Sequence, residues 1–147
     1  MKQLRHWACI LGCGLSLNCS PTPPREVRIS PPEPTLSENV RVLDPAAAKV
    51  WMESHDEALI IDAREDSEFK EHGRLPKATN LSQLAGDSVL ERLADEPPDR
   101  PIFIYCALGA RSAWLAEQLE TKGFTNLQIL KGGLHAWKDA GLPVVTP

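Results

Sequence analysis

The sequence predicts an α/β fold, a five-stranded, mainly parallel sheet with helices on both faces. Three observations carry that prediction. Five strand-like segments alternate with five helix-like ones between Val40 and Gly141, the pattern of a parallel sheet with crossover helices. Two of the strand segments, Ala58-Leu59-Ile60-Ile61 and Pro101-Ile102-Phe103-Ile104-Tyr105-Cys106, are continuous apolar runs, as strands covered on both faces require. The helical segments are punctuated at their ends, from Asp44-Pro45 at the first start to Gly141 and Pro143 at the last stop.

Each element follows from its own residues. Val40-Arg41-Val42-Leu43 is a short strand. Asp44 then offers an N-cap and Pro45 a preset φ at N1, so a helix opens into AAAKVWMES. The apolar run 58–61 is the second strand. EDSEFKEHG reads as a short polar helix stopped by Gly73, and ATNLS as a weak strand. GDSVLERLADE is a helix ended by Pro97-Pro98, and PIFIYC is the second strong buried strand. RSAWLAEQLETKG is the strongest helix, with Leu115 and Leu119 on one face and Gly123 as the residue just past its end. LQIL is the last strand and GLHAWKDAG the last helix.

Composition narrows the function. The chain has 147 residues, 42% of them hydrophobic and 24% charged, and a net charge of −4. Residues 36–147 carry 12 basic and 18 acidic side chains. That balance argues against nucleic-acid binding through phosphate neutralisation, and any anion site must be local. No apolar stretch reaches the 18 or so residues a spanning helix needs. The cysteines are unevenly placed: Cys9, Cys13 and Cys19 precede residue 20, and Cys106 stands alone in the rest. Their spacing predicts no zinc site, and no metal or other cofactor is expected.

The first residues read as an export signal over 1–12: Lys2 and Arg5 without an acid, then an apolar run from Trp7. Ile10-Leu11-Gly12-Cys13 resembles a bacterial lipobox, which implies lipidation of Cys13 and a protein held at the periplasmic face of a membrane, or free in the periplasm. The competing reading is an uncleaved terminus without that role. Residues 13–38 then form a tether. Its Pro-rich part, residues 20–35, reads as an extended spacer, able to reach roughly 50 Å at about 3.1 Å per residue. The globular domain is expected over 39–147.

The chemistry points to Cys106. The segment Cys106-Ala107-Leu108-Gly109-Ala110-Arg111-Ser112 joins a buried strand to a helix. Ligands of parallel sheets gather where strand ends feed helix N-termini. There the backbone N–H groups point at the sulfur, Gly109 permits a positive φ, and Arg111 adds a cation, all of which favour thiolate over thiol. The plainer alternative is a small buried hydrophobe.

The loop CALGARS resembles the Cys-x-x-Gly-x-Arg-Ser active-site loop of single-domain rhodaneses, the sulfurtransferases. LIIDAR, HGRLPKATNL and LKGGLHAWKDAGLPV are similar to three further landmarks of that family, in the same order. The resemblance implies a rhodanese-like, doubly wound five-stranded sheet and a catalytic Cys106 that cycles through a persulfide. It implies a cradle formed by Cys106, Ala107, Leu108, Gly109, Ala110 and Arg111. Arg64 matches an arginine that helps hold the substrate anion in some members; pairing with Asp62 or Glu65 is the other reading of that residue. Arg74 and Lys77 stand where the family has His and Gly, in a turn, and no loss of activity is expected there.

Loop length separates two chemistries. Phosphatases and arsenate reductases of this kind use Cys-x5-Arg, whereas Cys106 to Arg111 is Cys-x4-Arg. The tighter ring suits one sulfur atom better than a tetrahedral oxyanion. The expected activity moves sulfur from thiosulfate, a polysulfide or a persulfide to a thiol or cyanide-like acceptor. The alternative is a non-enzymatic rhodanese-like module that carries persulfide or binds a partner. His72 and His135 are expected to be solvated, and Trp51, Trp114 and Trp137 to pack in or against the core. Cys19 is read as a linker thiol that nothing nearby activates.

Overall fold

The computed structural model describes residues 37–82 and 87–146. The proposed signal, Cys13, Cys19 and nearly all of the proposed tether lie outside the described residues. Ten elements follow in strict alternation: β1 (Val40–Leu43), α1 (Pro45–Ser54), β2 (Leu59–Asp62), α2 (Asp66–Glu71), β3 (Thr79–Asn80), α3 (Asp87–Arg92), β4 (Ile102–Tyr105), α4 (Ala110–Thr121), β5 (Leu127–Leu130) and α5 (Gly133–Asp139). The sheet runs β1-β5-β4-β2-β3, and every adjacent pair is parallel.

The expected fold class is the one found, and its punctuation works as the residues suggest. Asp44 accepts a hydrogen bond from the Ala47 N–H at 2.9 Å, capping α1 ahead of Pro45. Gly123 turns α4 off with a φ of +99°. Two elements are shorter than expected. The ATNLS strand contracts to Thr79–Asn80, where the Asn80 side-chain amide donates to the Asp62 and Arg64 carbonyls. The sixth element ends as a helix at Arg92, and single turn-type bonds carry the chain on to Pro97.

Period-two alternation along β4 divides the core. Ile102, Ile104 and Cys106 face one layer, with Val89 and Leu93 after β3 and with Leu115, Ala116 and Leu119 of α4. Phe103 and Tyr105 face the other, with Ala48 of α1 and with Leu134 and Trp137 of α5. Burying each such large apolar side chain contributes roughly 1.5–3 kcal/mol. Trp137 is fully buried and donates its indole N–H to the Pro143 carbonyl at 2.9 Å. Trp114 departs from expectation: it is exposed, because the α4 face that buries Leu115 and Leu119 turns it outward. His72 and His135 are both exposed.

β4 lies in the middle of the sheet, between β5 and β2. From β2 the chain moves outward to β3, and from β4 it moves the opposite way to β5. The carboxyl ends of β2 and β4 therefore flank a topological switch point, where parallel sheets open a crevice for ligands.

Candidate active site

Cys106 follows the last residue of β4 and is 1% exposed. Gly109 adopts a φ of +111°, which a side-chain-bearing residue rarely reaches, and this bends the loop back over the sulfur. Its N–H then donates to Cys106 Sγ at 3.0 Å. Ser112 Oγ lies 3.8 Å from the same sulfur while donating to the Gly109 carbonyl at 2.8 Å. Burial works to raise the thiol pKa, but the amides of Ser112, Gly109 and Leu108 outweigh it, and the Cys106 pKa lies below the ordinary value.

The last helix holds this loop from below. The N–H of Leu134 donates to the Cys106 carbonyl at 2.8 Å, and that of His135 donates to the Ala107 carbonyl at 3.1 Å. So close an approach requires a glycine at position 133, with a φ of +62°. A Cβ there would stand 2.5 Å from the Cys106 oxygen and from the Ala107 carbonyl. Gly133 is thus part of the site, and sequence alone marks it only as one residue of LKGGLHAWKDAGLPV.

The two arginines are both committed to carboxylates. Arg111 donates from Nη1 to Glu68 Oε2 at 2.6 Å and from Nη2 to Glu68 Oε1 at 2.9 Å, a two-pronged pair across the crevice from α4 to α2. Arg111 is therefore not the free cation expected beside the sulfur, yet it still interacts with the Cys106 sulfur while paired to Glu68, and the backbone amides are the larger influence that lowers the thiol pKa. Hydrogen bonding from Arg111 holds the Glu68 carboxyl down to about 2 against its partial burial, with the Glu65 N–H adding a further bond at 3.1 Å. Sequence reasoning missed Glu68. Its signal was local only: a Glu three residues past Glu65, the spacing of a capping box.

Arg64 resolves toward the ion-pair reading. It is 2% exposed, and its Nε and Nη2 donate to the Asp62 carboxylate at 2.6–3.1 Å. Nη2 also donates to the Gly73 carbonyl at 2.7 Å. The expectation that it holds a substrate anion meets a guanidinium already occupied by Asp62, which is itself fully buried. Tyr105 lies beneath, its ring centroid 5.8 Å from the Arg64 guanidinium carbon. The Tyr105 hydroxyl accepts from the Leu75 N–H at 3.1 Å, and burial together with the Asp62 charge raises its pKa.

The rest of the loop is uncharged. Ala107 is half-buried, Leu108 is 67% exposed and Ala110 is exposed. Beside it a groove of about 560 Å³ is lined by Glu68, Glu71, His72, Ala107, His135 and Lys138, among others. A thiol of lowered pKa, ringed by amides and reached past neutral side chains, can act as a nucleophile toward sulfur.

Residues 44–140 match the Rhodanese-like domain family. The chain belongs to that family. It is 32% identical over 108 residues to a protein named "Sulfurtransferase" from Allochromatium vinosum, a match covering 74% of this chain and 97% of that one. It is 29% identical over 102 residues to "Thiosulfate sulfurtransferase GlpE" of Vibrio cholerae, covering 69% of this chain and 92% of the relative. The crystal structure of a rhodanese-like domain protein from Staphylococcus aureus superimposes with a TM-score of 0.59 at 28% identity, covering 72% of this chain and 99% of that one. Membership of the rhodanese family supports sulfur transfer as the class of reaction.

Proposed function

We propose that the chain is a sulfurtransferase in which Cys106 accepts a sulfane sulfur as a persulfide and passes it to a thiophilic acceptor. The observation that carries this reading is the Cys106 thiol itself, with the Gly109 N–H 3.0 Å from Sγ and a pKa below the ordinary value. The thiolate attacks the outer sulfur of a donor such as thiosulfate or a polysulfide or persulfide. The donor's S–S bond breaks, and its electron pair leaves with the departing anion. The same amides that stabilise the thiolate then face the terminal persulfide anion, so the intermediate needs no new donors. An acceptor thiolate or cyanide takes the outer sulfur and restores Cys106. The Cys-x4-Arg loop supports sulfur over phosphate as the atom handled. The N-terminal pattern extends the proposal to an exported chain lipidated at Cys13 and tethered to a membrane surface.

The test is mass spectrometry of the Cys106 peptide after incubation with thiosulfate or polysulfide. One added sulfur atom on that peptide, lost on addition of cyanide, is expected. Cys106→Ser should fold and show no sulfur transfer; transfer retained in that variant would remove the mechanism.

A further inference from the structure

We propose that Glu68 is a specificity-determining residue: by holding the fork of Arg111, it turns the Cys106 site away from oxyanion donors such as thiosulfate and toward persulfides. This rests on the sulfur-transfer reading above and narrows it to a donor class. The two donors differ in what leaves. With thiosulfate, Cys106 Sγ bonds to the outer sulfur, the S–S bond breaks, and its electron pair departs on sulfite, a dianion with charge spread over three oxygens. With a persulfide R–S–S⁻, the same bonds form and break, and the pair departs as the thiolate R–S⁻. Sulfite calls for a bidentate guanidinium, which binds such oxygens two at a time. A thiolate calls for a single donor.

The site is built for the second case. Arg111 is the one cation of the loop, and each of its Nη atoms donates to Glu68, whose negative charge offsets it. Glu68 remains ionised at any working pH, since the pair holds its carboxyl down to about 2. A dianion reaching Arg111 must displace that carboxylate or share the guanidinium with it, against like-charge repulsion. The nearest alternative fork, that of Arg64, is closed by Asp62 and buried. The adjoining groove holds no surplus of positive charge. Its Lys138 ammonium donates to the His72 carbonyl at 2.7 Å, and Glu71 lines the same groove. The Ala107, Leu108 and Ala110 side chains at the mouth bear no charge, so the stem of a persulfide meets no like charge from them.

The experiment follows sulfur loading of Cys106 in the full chain, by mass spectrometry of the Cys106 peptide, against concentrations of thiosulfate and of glutathione persulfide. Each donor yields a half-saturating concentration and a maximal rate. In the wild type the half-saturating thiosulfate concentration is expected at least about tenfold above that of glutathione persulfide, the size of one charged hydrogen-bond contact. Glu68→Gln keeps an oxygen for the Glu65 N–H and is expected to reduce that ratio about tenfold, through thiosulfate half-saturation and not through maximal rate. Equal half-saturation for the two donors in the wild type overturns the proposal without any variant, even if the variant fails to fold. A Glu68→Gln protein in which both donors change in parallel also overturns it, because a merely structural role predicts that result. Loading by both donors alike leaves sulfur transfer intact and removes only the role of Glu68. Loading by neither removes both.

Discussion

The ends of β2 and β4 sit side by side in the sheet, with Asp62 in register with Tyr105, yet they are finished in opposite ways. The β2 end is closed with charge. Asp62 and Arg64 are buried, consume one another's hydrogen-bonding capacity, and reach Gly73 to fix the following turn. The β4 end is closed with backbone. Leu108, Gly109 and Ser112 aim amides at a sulfur, and none of the side chains between Cys106 and Arg111 is charged. A buried ion pair gives a rigid floor but no free valence for a substrate. A ring of amides is fixed by the fold and keeps its donors aimed at whatever replaces the thiolate. Equivalent positions in one topology thus divide into scaffold and chemistry by which kind of group satisfies the strand end.

That contrast predicts where substitutions strike. Asp62→Ala should have the largest effect on stability. It strands the Arg64 charge in the interior, which costs about 3–5 kcal/mol by analogy with broken buried pairs; urea unfolding at neutral pH measures it. A loss below about 1 kcal/mol would mean that the β2 end is not the scaffold described here. Gly133→Ala strikes the other end. Its Cβ collides with the Cys106 and Ala107 carbonyls, and its φ is in the left-handed region. A destabilisation of about 1–3 kcal/mol is expected, with the Cys106 thiol moving back toward its ordinary pKa as the loop lifts. An unchanged thiol titration in that variant would show that the amide ring does not depend on α5.

The smallest effect is expected in the turn between the two regions. Lys77 holds a φ of +60°, the one non-glycine residue with positive φ among those described. Its ion pair with Asp56 is exposed on both sides. Lys77→Gly should therefore be stabilising by about 0.5–1 kcal/mol and leave sulfur transfer unaltered; a thermal melt shows the sign.

The fold was legible because its signals are local. Apolar runs mark β2 and β4, and caps such as Asp44-Pro45 and Gly123 lie within a few residues of the elements they bound. The thiol loop was legible for the same reason, since Cys106, Gly109 and Arg111 fall within one turn of chain. Glu68 and Gly133 were not. Glu68 meets Arg111 across 43 residues of sequence, and nothing local announces which arginine a helix-capping Glu will reach. Gly133 matters for how closely two elements pack, a property of their assembly and not of either alone. Arg64 was ambiguous in sequence because holding a substrate anion and pairing with Asp62 call for the same residue; burial distinguishes them. Residue type alone suggests packing for Trp114, whereas the helical phase set by Leu115 and Leu119 places it outward.

The central claim is that loop amides, more than Arg111, make Cys106 reactive against the effect of its own burial. The most direct test is the pH dependence of iodoacetamide alkylation, read on the Cys106 peptide of the full chain. The thiolate is the reacting form, so the rate rises with pH and levels off above the pKa. The account predicts half-maximal alkylation below the ordinary thiol value of about 8.5, and a midpoint that stays below it in Arg111→Gln. A midpoint at or above about 8.5 would mean that burial prevails, and a midpoint that rises to that value only in Arg111→Gln would return the role to the cation.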